Sequence, residues 1–267
     1  MLWTPSGIVT LLTDFGLRDS YVGTMRAVLA SRCPDLRHTV DLTHAIPQQD
    51  VAAGAFQLAQ AWSYFPAGTV HLAVVDPGVG SERGALVACD RGHAFVGPDN
   101  GLLTPCLSDE AEVFELDVEL FSLPSISRTF HGRDVFAPAA AALAGGTQPS
   151  DLGTATEEYV RYDFPEPARS GSSGRVEGEV LLVDHFGNLI SNLPESLLAE
   201  LAPEQPRQLS ICGHRLPIVG AYAEVEQGEL LVLVNSSRFL EVAVRGGSAA
   251  ELLSCGVGER IEMELSR

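Results

Sequence analysis

Apolar runs and helix-like spacing alternate along the N-terminal part of the chain. Short runs of apolar and β-branched residues at 7–12, 39–42 and 70–75 predict strands, and apolar positions at helical spacing in 20–31 and 48–65 predict helices between them. Strand–helix–strand alternation with nearly continuous apolar strands is typical of a parallel sheet covered by helices. We therefore expect an α/β fold with a mainly parallel sheet flanked by helices.

The pattern then changes twice. Strand candidates at 85–89 and 94–96 are close enough to form a hairpin, and 134–143 has the character of a helix. Residues 164–175 are rich in Pro, Ser and Gly, a composition typical of a linker.

Short strand candidates separated by turns follow the linker. They lie at 176–184, 208–212, 230–234, 240–244 and 260–265. The pattern predicts an α/β domain at 1–163, a linker at 164–175 and a smaller all-β, barrel-like domain at 176–267.

The charge balance narrows the range of partners. The 267 residues include 35 acidic and 17 Lys or Arg side chains, for a formal net charge of −18. A field of that sign repels phosphate backbones and anionic lipid headgroups, so we expect neither nucleic acid nor a membrane as a partner. No signal-peptide pattern and no run of 18 apolar residues occurs, which leads us to expect a cytoplasmic protein.

Cysteine and histidine spacing gives no sign of a metal site. The five cysteines contain no C-x-x-C pair, which argues against both a disulfide framework and a zinc knuckle. The seven histidines contain no H-x-x-x-H pair, so we expect no metal ligands.

Polar residues that follow the predicted strands are candidates for chemistry. Asp14 and Asp76 each end a strand, where an aspartate can bind a ribose diol or orient a nucleophile, although it can equally cap a helix or stabilise a turn. His131 precedes a predicted helix, where it has either a structural or a catalytic role. No dinucleotide fingerprint or P-loop accompanies these residues.

The chain resembles a known family over nearly its whole length. The resemblance rests on the blocks TDFG (13–16), DSYVG (19–23), DPGVG (76–80), GPDNGL (97–102), TFHGRD (129–134), DHFGN (184–188) and NS (235–236). These blocks resemble the S-adenosyl-L-methionine hydroxide adenosyltransferases, which hydrolyse S-adenosyl-L-methionine to adenosine and L-methionine and are related to fluorinase and chlorinase.

The resemblance implies roles for particular residues. It implies a water-activating set of Asp76, Arg83 and His131. For this set our hypothesis is that Asp76 and His131 accept hydrogen bonds from the water and that Arg83 orients Asp76. It places the ribose on Asp14 and the reacting carbon near Phe130. The implied methionine contacts are Asp184, Asn188 and Ser236, and the implied adenine contacts are Tyr222 and the backbone from Val244 to Gly246.

The same resemblance implies a homotrimer with active sites at subunit interfaces. It implies no cofactor, because S-adenosyl-L-methionine is the substrate, and no metal. Three alternatives stay open: a halogenase of the same superfamily, a non-catalytic sensor of adenosine or S-adenosyl-L-methionine, and a metal-dependent hydrolase. Against the halogenase, the fluorinase has a tyrosine at the position of Asp76 and a tyrosine–serine pair at His131-Gly132.

Overall fold

The computed structural model describes residues 2–170, 175–200 and 208–264. It separates into two units, Met1–Asp163 and Phe164–Arg267. In the described ranges no helix has the length and apolar character needed to cross a membrane.

The first unit is built on one seven-stranded sheet. In chain order its elements are β1 (Ile8–Thr13), α1 (Tyr21–Arg32), β2 (His38–Thr43), α2 (Val51–Ala61), β3 (Val70–Val74), β4 (Ala85–Asp90), β5 (His93–Pro98), β6 (Glu112–Leu116), α3 (Val118–Phe121), a π-helical turn (Gly132–Phe136), α4 (Ala137–Ala144) and β7 (Gly153–Ala155). The strand order is β2-β1-β3-β5-β4-β6-β7. Short 3-10 turns lie at Trp62–Tyr64, Thr104–Cys106 and Pro149–Asp151.

The sheet is mixed, so the expectation of a mainly parallel sheet is only partly right. β1 pairs in parallel with β2 and β3, and β3 pairs in parallel with β5. The predicted hairpin forms between β4 and β5, and β6 and β7 then extend the sheet antiparallel to their neighbours. Both added strands are short, and two of the five residues of β6 are exposed glutamates. Neither strand therefore has a clear apolar pattern in the sequence.

Apolar faces of the helices cover the sheet. Helix α1 buries Val22, Met25 and Leu29, whose i, i+3 and i+7 spacing places them on one face. Helix α2 begins at Asp50, whose side chain accepts a hydrogen bond from the Ala53 amide at 2.9 Å. This arrangement leaves the carboxyl ends of the parallel strands as the place where loops converge.

A pair of buried histidines lies on the adjacent strands β3 and β5 of the first unit. Thr10 Oγ1 lies 2.9 Å from His71 Nδ1, and His71 Nε2 lies 3.1 Å from His93 Nδ1. Burial, with a smaller contribution from the charge of His93, lowers the pKa of His71 to about 3. His71 therefore stays neutral in the folded protein at pH values where it would be charged in the unfolded chain.

We expect this pair to make the protein sensitive to acid. Below pH 6.5 the unfolded chain takes up a proton at His71 that the folded protein does not, so the free energy of unfolding falls as the pH decreases towards about 3. One such proton corresponds to about 1.4 kcal/mol per pH unit. Urea unfolding at several pH values should show that the free energy of unfolding depends less steeply on pH in His71→Gln than in the wild type. His38→Gln, which changes an exposed histidine on β2, is the matched control, and equal slopes in all three proteins would contradict the expectation.

The second unit is built on antiparallel strands. In chain order its elements are β8 (Ala168–Ser170), β9 (Arg175–Val183), β10 (Leu189–Pro194), β11 (Gln208–Ile211), β12 (His214–Pro217), β13 (Leu230–Val234), β14 (Phe239–Val244), α5 (Ala249–Leu253) and β15 (Arg260–Glu264), with 3-10 turns at Glu195–Glu200 and Tyr222–Glu224. The sheet order is β12-β11-β15-β9-β10-β14-β13, and β8 pairs with β9. A bridge between Ile218 and Val232 brings the two edges of the sheet together, so the unit is barrel-like and nearly closed.

Two expectations for this region need adjustment. The segment 164–175, expected to be a linker, contains β8, which pairs in register with the start of β9; its residues 171–174 lie outside the described residues, as does Leu265 at the end of the last predicted strand. Cys212 and Cys255 are joined as a disulfide, although the spacing of the cysteines argued against a disulfide framework. The two residues are 43 positions apart and meet because the turn after β11 lies beside the end of α5, a proximity that spacing does not reveal.

Candidate functional site

Three side chains from separate segments of the first unit meet beyond the end of β3. Asp76 lies two residues after β3, Arg83 lies two residues before β4, and His131 directly precedes the π-helical turn. Arg83 Nε donates to Asp76 Oδ1 at 3.0 Å, and Arg83 Nη2 donates both to Asp76 Oδ2 and, at 2.9 Å, to His131 Nδ1. The fold thus brings together the three residues that the family resemblance implies for water activation.

Two features of the backbone hold this arrangement in place. The side-chain amide of Asn100 donates to the Val75 carbonyl at 2.8 Å, which fixes the chain just before Asp76. Gly80 has a φ of +78° and lies so close to the Arg128 carbonyl that any side chain would overlap with it. Asn100 belongs to the GPDNGL block but received no role from the sequence, since its contact is made across 25 residues.

The electrostatics of the trio fix the protonation of His131. Burial and the neighbouring Arg83 guanidinium lower the pKa of His131, while the carboxylates of Asp76 and Asp134 act in the opposite direction. A guanidinium has no acceptor, so His131 Nδ1 must accept from Arg83 and the neutral ring carries its proton on Nε2. The expectation that His131 accepts a hydrogen bond from water is therefore wrong for the neutral ring, because its remaining nitrogen is a donor.

Asp14 lies at the same edge of the sheet as Asp76. It follows β1, which pairs in parallel with β3 so that Thr13 lies opposite Val74. Asp14 Oδ2 accepts from the backbone amide of Gln49 at 2.8 Å, and Gln49 holds a left-handed φ of +65°. The carboxylate is half-buried, and each of its oxygens can accept more than one hydrogen bond.

An aromatic cluster surrounds Phe130, the residue before His131. Its ring centroid lies 5.8 Å from that of Phe15 and 5.2 Å from that of Tyr21, both in edge-to-face geometry. The Arg133 guanidinium lies 5.0 Å from the Phe130 ring and pairs with the fully buried Asp134. Asp134 thereby helps to fix Phe130, a supporting role that its sequence position did not indicate.

In the second unit, Asp184 organises the loop between β9 and β10. Its Oδ1 accepts from the backbone amides of Phe186 and Asn188, both at 2.9 Å, and its Oδ2 accepts from Asn188 Nδ2 at 2.9 Å. The predicted methionine contacts Asp184 and Asn188 are therefore directly bonded to each other.

Tyr222 is bonded to an acidic residue that the sequence analysis missed. The half-exposed Tyr222 donates through its hydroxyl to Glu241 Oε1 at 2.6 Å. Burial and the negative charge of Asp184 raise the pKa of Glu241, against the effect of hydrogen bonds from Tyr222 and Asn235. An isolated carboxyl within the otherwise apolar strand 239–244 was the signal that could have identified Glu241.

The remaining predicted contacts lie near the ends of β13 and β14. Ser236 is exposed and follows Asn235 in the turn between these strands. Val244 ends β14 with its side chain in the core of the unit, so only its backbone is available to a ligand. Gly246 follows with a φ of +76°, close to the amide of Gln227.

The donor sets do not suit a metal ion. Arg83 holds both carboxylate oxygens of Asp76 and one nitrogen of His131, and its positive charge opposes a cation at the same place. Within the described ranges, the one group of three close ligand atoms is Cys212, Cys255 and Glu259. Its two sulfurs are joined to each other and cannot bind as thiolates.

Comparison with known proteins connects these residues to one family. Residues 9–153 match the SAM hydroxide adenosyltransferase N-terminal domain, and residues 178–262 match the SAM hydroxide adenosyltransferase C-terminal domain. The chain is 41% identical to the (R)-S-adenosyl-L-methionine hydrolase of Salinispora tropica over 97% of this chain and 98% of that protein. It is more distantly similar to a fluorinase of an Actinoplanes species, with 26% identity over 88% of this chain and 90% of the fluorinase.

The fold is also that of a solved relative. A crystal structure of an uncharacterized conserved protein from Thermotoga maritima matches with a TM-score of 0.87 and 34% identity, covering 96% of this chain and 99% of the other. Since both domain models match in order and a hydrolase of this kind matches over nearly the full length, the chain belongs to the SAM hydroxide adenosyltransferase family.

Proposed function

We propose that the protein hydrolyses S-adenosyl-L-methionine at C5′, releasing adenosine and L-methionine. The observation that carries the proposal is the bonding of Arg83 to both Asp76 and His131. This arrangement supplies a carboxylate acceptor, a neutral imidazole donor and a fixed positive charge. These groups can hold a water molecule and favour its deprotonated form. The likeness to (R)-S-adenosyl-L-methionine hydrolases supplies the substrate.

The reaction depends more on positioning the water nucleophile than on acid catalysis. A sulfonium is a good leaving group, so methionine departs without being protonated. The difficulty is to present a weak nucleophile in line with the C5′–S bond, and positioning of this kind can lower a barrier by up to roughly 7–11 kcal/mol. Asp76 accepts the hydrogen bond and then the proton of the water, while His131 Nε2–H and the charge of Arg83 stabilise the hydroxide-like oxygen.

The other predicted contacts each bind a different part of the substrate. Asp14 binds the ribose hydroxyls and Phe130 lines the reacting carbon. In the second unit Asp184 pairs with the methionine ammonium, Asn188 and Ser236 hold the rest of the amino acid, and adenine stacks near Tyr222 and meets the backbone from Val244 to Gly246. By family likeness, a neighbouring subunit supplies this second set within a homotrimer.

Product analysis tests the proposed function. Purified protein is incubated with S-adenosyl-L-methionine and chloride, with and without EDTA, and the nucleosides are separated by chromatography. Adenosine and methionine in both samples would support the hydrolase and a reaction without metal or cofactor. A 5′-chloro-nucleoside would indicate a halogenase, loss of activity only with EDTA would indicate a metal-dependent hydrolase, and binding without turnover would indicate a sensor.

Asp14→Ala is expected to weaken substrate binding more than turnover. Removal of the carboxylate leaves ribose hydroxyls unpaired, at a cost of about 1–3 kcal/mol, so KM should rise about 5- to 150-fold. Steady-state kinetics measure this effect. Asp35→Ala, which removes an exposed carboxylate between α1 and β2, is the matched control. An unchanged KM in Asp14→Ala would refute the ribose assignment.

A further inference from the structure

Glu241 is a buried acidic residue on a strand inside the second unit's sheet. It lies on β14 between Ile190 of β10 and Leu233 of β13, and its residue is only 4% exposed. Its strand neighbours Leu240 and Val242 belong to the apolar core, so Glu241 faces the opposite side of the sheet. A carboxyl in this position is unfavourable unless it is hydrogen-bonded or meets a positive charge.

The partners that the structure provides are donors without charge. Tyr222 donates to Glu241 at 2.6 Å and Asn235 bonds to it through its side chain. Asp184, whose charge acts on Glu241, likewise accepts from the backbone amides of Phe186 and Asn188 and from the Asn188 side chain. In the described ranges, no Lys, Arg or His side chain forms an ion pair with Glu241 or Asp184.

Two neighbouring carboxyls without a counter-ion match the charge of the proposed substrate. S-adenosyl-L-methionine carries a sulfonium, an ammonium and a carboxylate and is cationic overall, whereas its product adenosine is neutral. We propose that Glu241 is a positioning residue for substrate recognition: it fixes the Tyr222 phenol and adds negative charge beside Asp184 that favours the cationic substrate over neutral nucleosides. This inference rests on the proposed function.

A purely structural role would not require a carboxylate. An amide oxygen of the same shape also accepts a hydrogen bond from the Tyr222 hydroxyl, and burial of an amide is less costly than burial of a charge. An ionisable carboxyl in place of a neutral amide is therefore the property of Glu241 that calls for an explanation, and a cationic ligand that favours its ionised form supplies one.

Glu241→Gln separates the charge from the shape. We expect KM for S-adenosyl-L-methionine to rise about ten-fold, with kcat and the calorimetric Kd for adenosine each within about two-fold of wild type, because the reacting centre and the neutral contacts are unchanged. Tyr222→Phe removes the hydrogen bond but keeps the charge, so it should weaken S-adenosyl-L-methionine and adenosine to a similar degree. A wild-type KM in Glu241→Gln, or equal weakening of both ligands in that variant, would overturn the proposal.

Glu241→Asp provides a second test that does not depend on the folding of the glutamine variant. It retains the charge and should keep the wild-type ratio of S-adenosyl-L-methionine affinity to adenosine affinity; loss of that ratio would overturn the proposal. Thermal melting establishes that each variant is folded. Absence of turnover in the wild type, assayed in parallel, would refute the hydrolase. In that case the calorimetric Kd values for S-adenosyl-L-methionine and for adenosine would still test the role of Glu241.

Discussion

Replacing Asp76 with alanine is expected to lower the turnover of S-adenosyl-L-methionine about 10²-fold or more, the usual size of a general-base effect. Asp76 is the one member of the trio that can accept a proton while its partners remain in place, since Arg83 has no acceptor and the free nitrogen of His131 is a donor. The loss should fall on kcat, because Asp76 contacts the nucleophile rather than the substrate. Single-turnover kinetics with saturating enzyme measure it directly.

A matched control separates chemistry from stability. Asp117→Ala removes an exposed aspartate that caps α3 through the Leu120 amide, a change expected to cost about 1 kcal/mol of stability and no activity. Asp76→Ala also leaves Arg83 without its main partner, so thermal melting must show that the variant is folded at the assay temperature. Turnover near that of the wild type in folded Asp76→Ala would refute the assignment of Asp76 as the proton acceptor.

His131→Ala is expected to lower turnover by a similar factor, about 10²-fold, and also to change its pH dependence. Because burial and Arg83 lower the pKa of His131, the ring stays neutral as the pH falls below 6.5 and becomes charged only in more acidic solution. Wild-type kcat should therefore persist through pH 6.5 and decline below it, because a proton on Nδ1 removes the acceptor for Arg83 and breaks the trio. In His131→Ala, kcat should not show the part of this acidic decline that is caused by protonation of the imidazole.

The exposed His38 offers the control for this experiment, since His38→Ala removes an imidazole from β2 without touching the trio. It should retain both the wild-type kcat and the acidic decline. An acidic decline of the same midpoint in His131→Ala would show that another group controls it. Stability at each pH must be measured too, because the buried His71 makes the whole fold sensitive to acid.

Local sequence patterns predicted the individual strands and helices better than they predicted how the strands pair in the first sheet. The strands at β1, β3 and β13 and the helix α1 follow from apolar spacing, and the coarse division into an α/β part and a β part is confirmed. The antiparallel strands β6 and β7 of the first sheet were missed because β7 is only three residues long and β6 carries two exposed glutamates among its five residues. The disulfide between Cys212 and Cys255 was missed because it depends on the tertiary fold.

Predicting the site depended on resemblance rather than on spacing. Arg83 and His131 are 48 residues apart, and nothing in their local sequence shows that one guanidinium nitrogen bonds to the imidazole. The direction of that hydrogen bond, which makes His131 a donor, required coordinates. The catalytic and binding roles of these residues stay predictions until the variants are measured.

The π-helical turn at Gly132–Phe136 limits how this segment can evolve. Its hydrogen bond runs from the Ala137 amide to the Gly132 carbonyl, so it holds one residue more than an α-helical turn would. Deleting that residue would restore the α-helical register and rotate everything before it by about 100° around the axis of α4, which turns His131 away from Arg83. The length of this segment therefore cannot change without dismantling the trio.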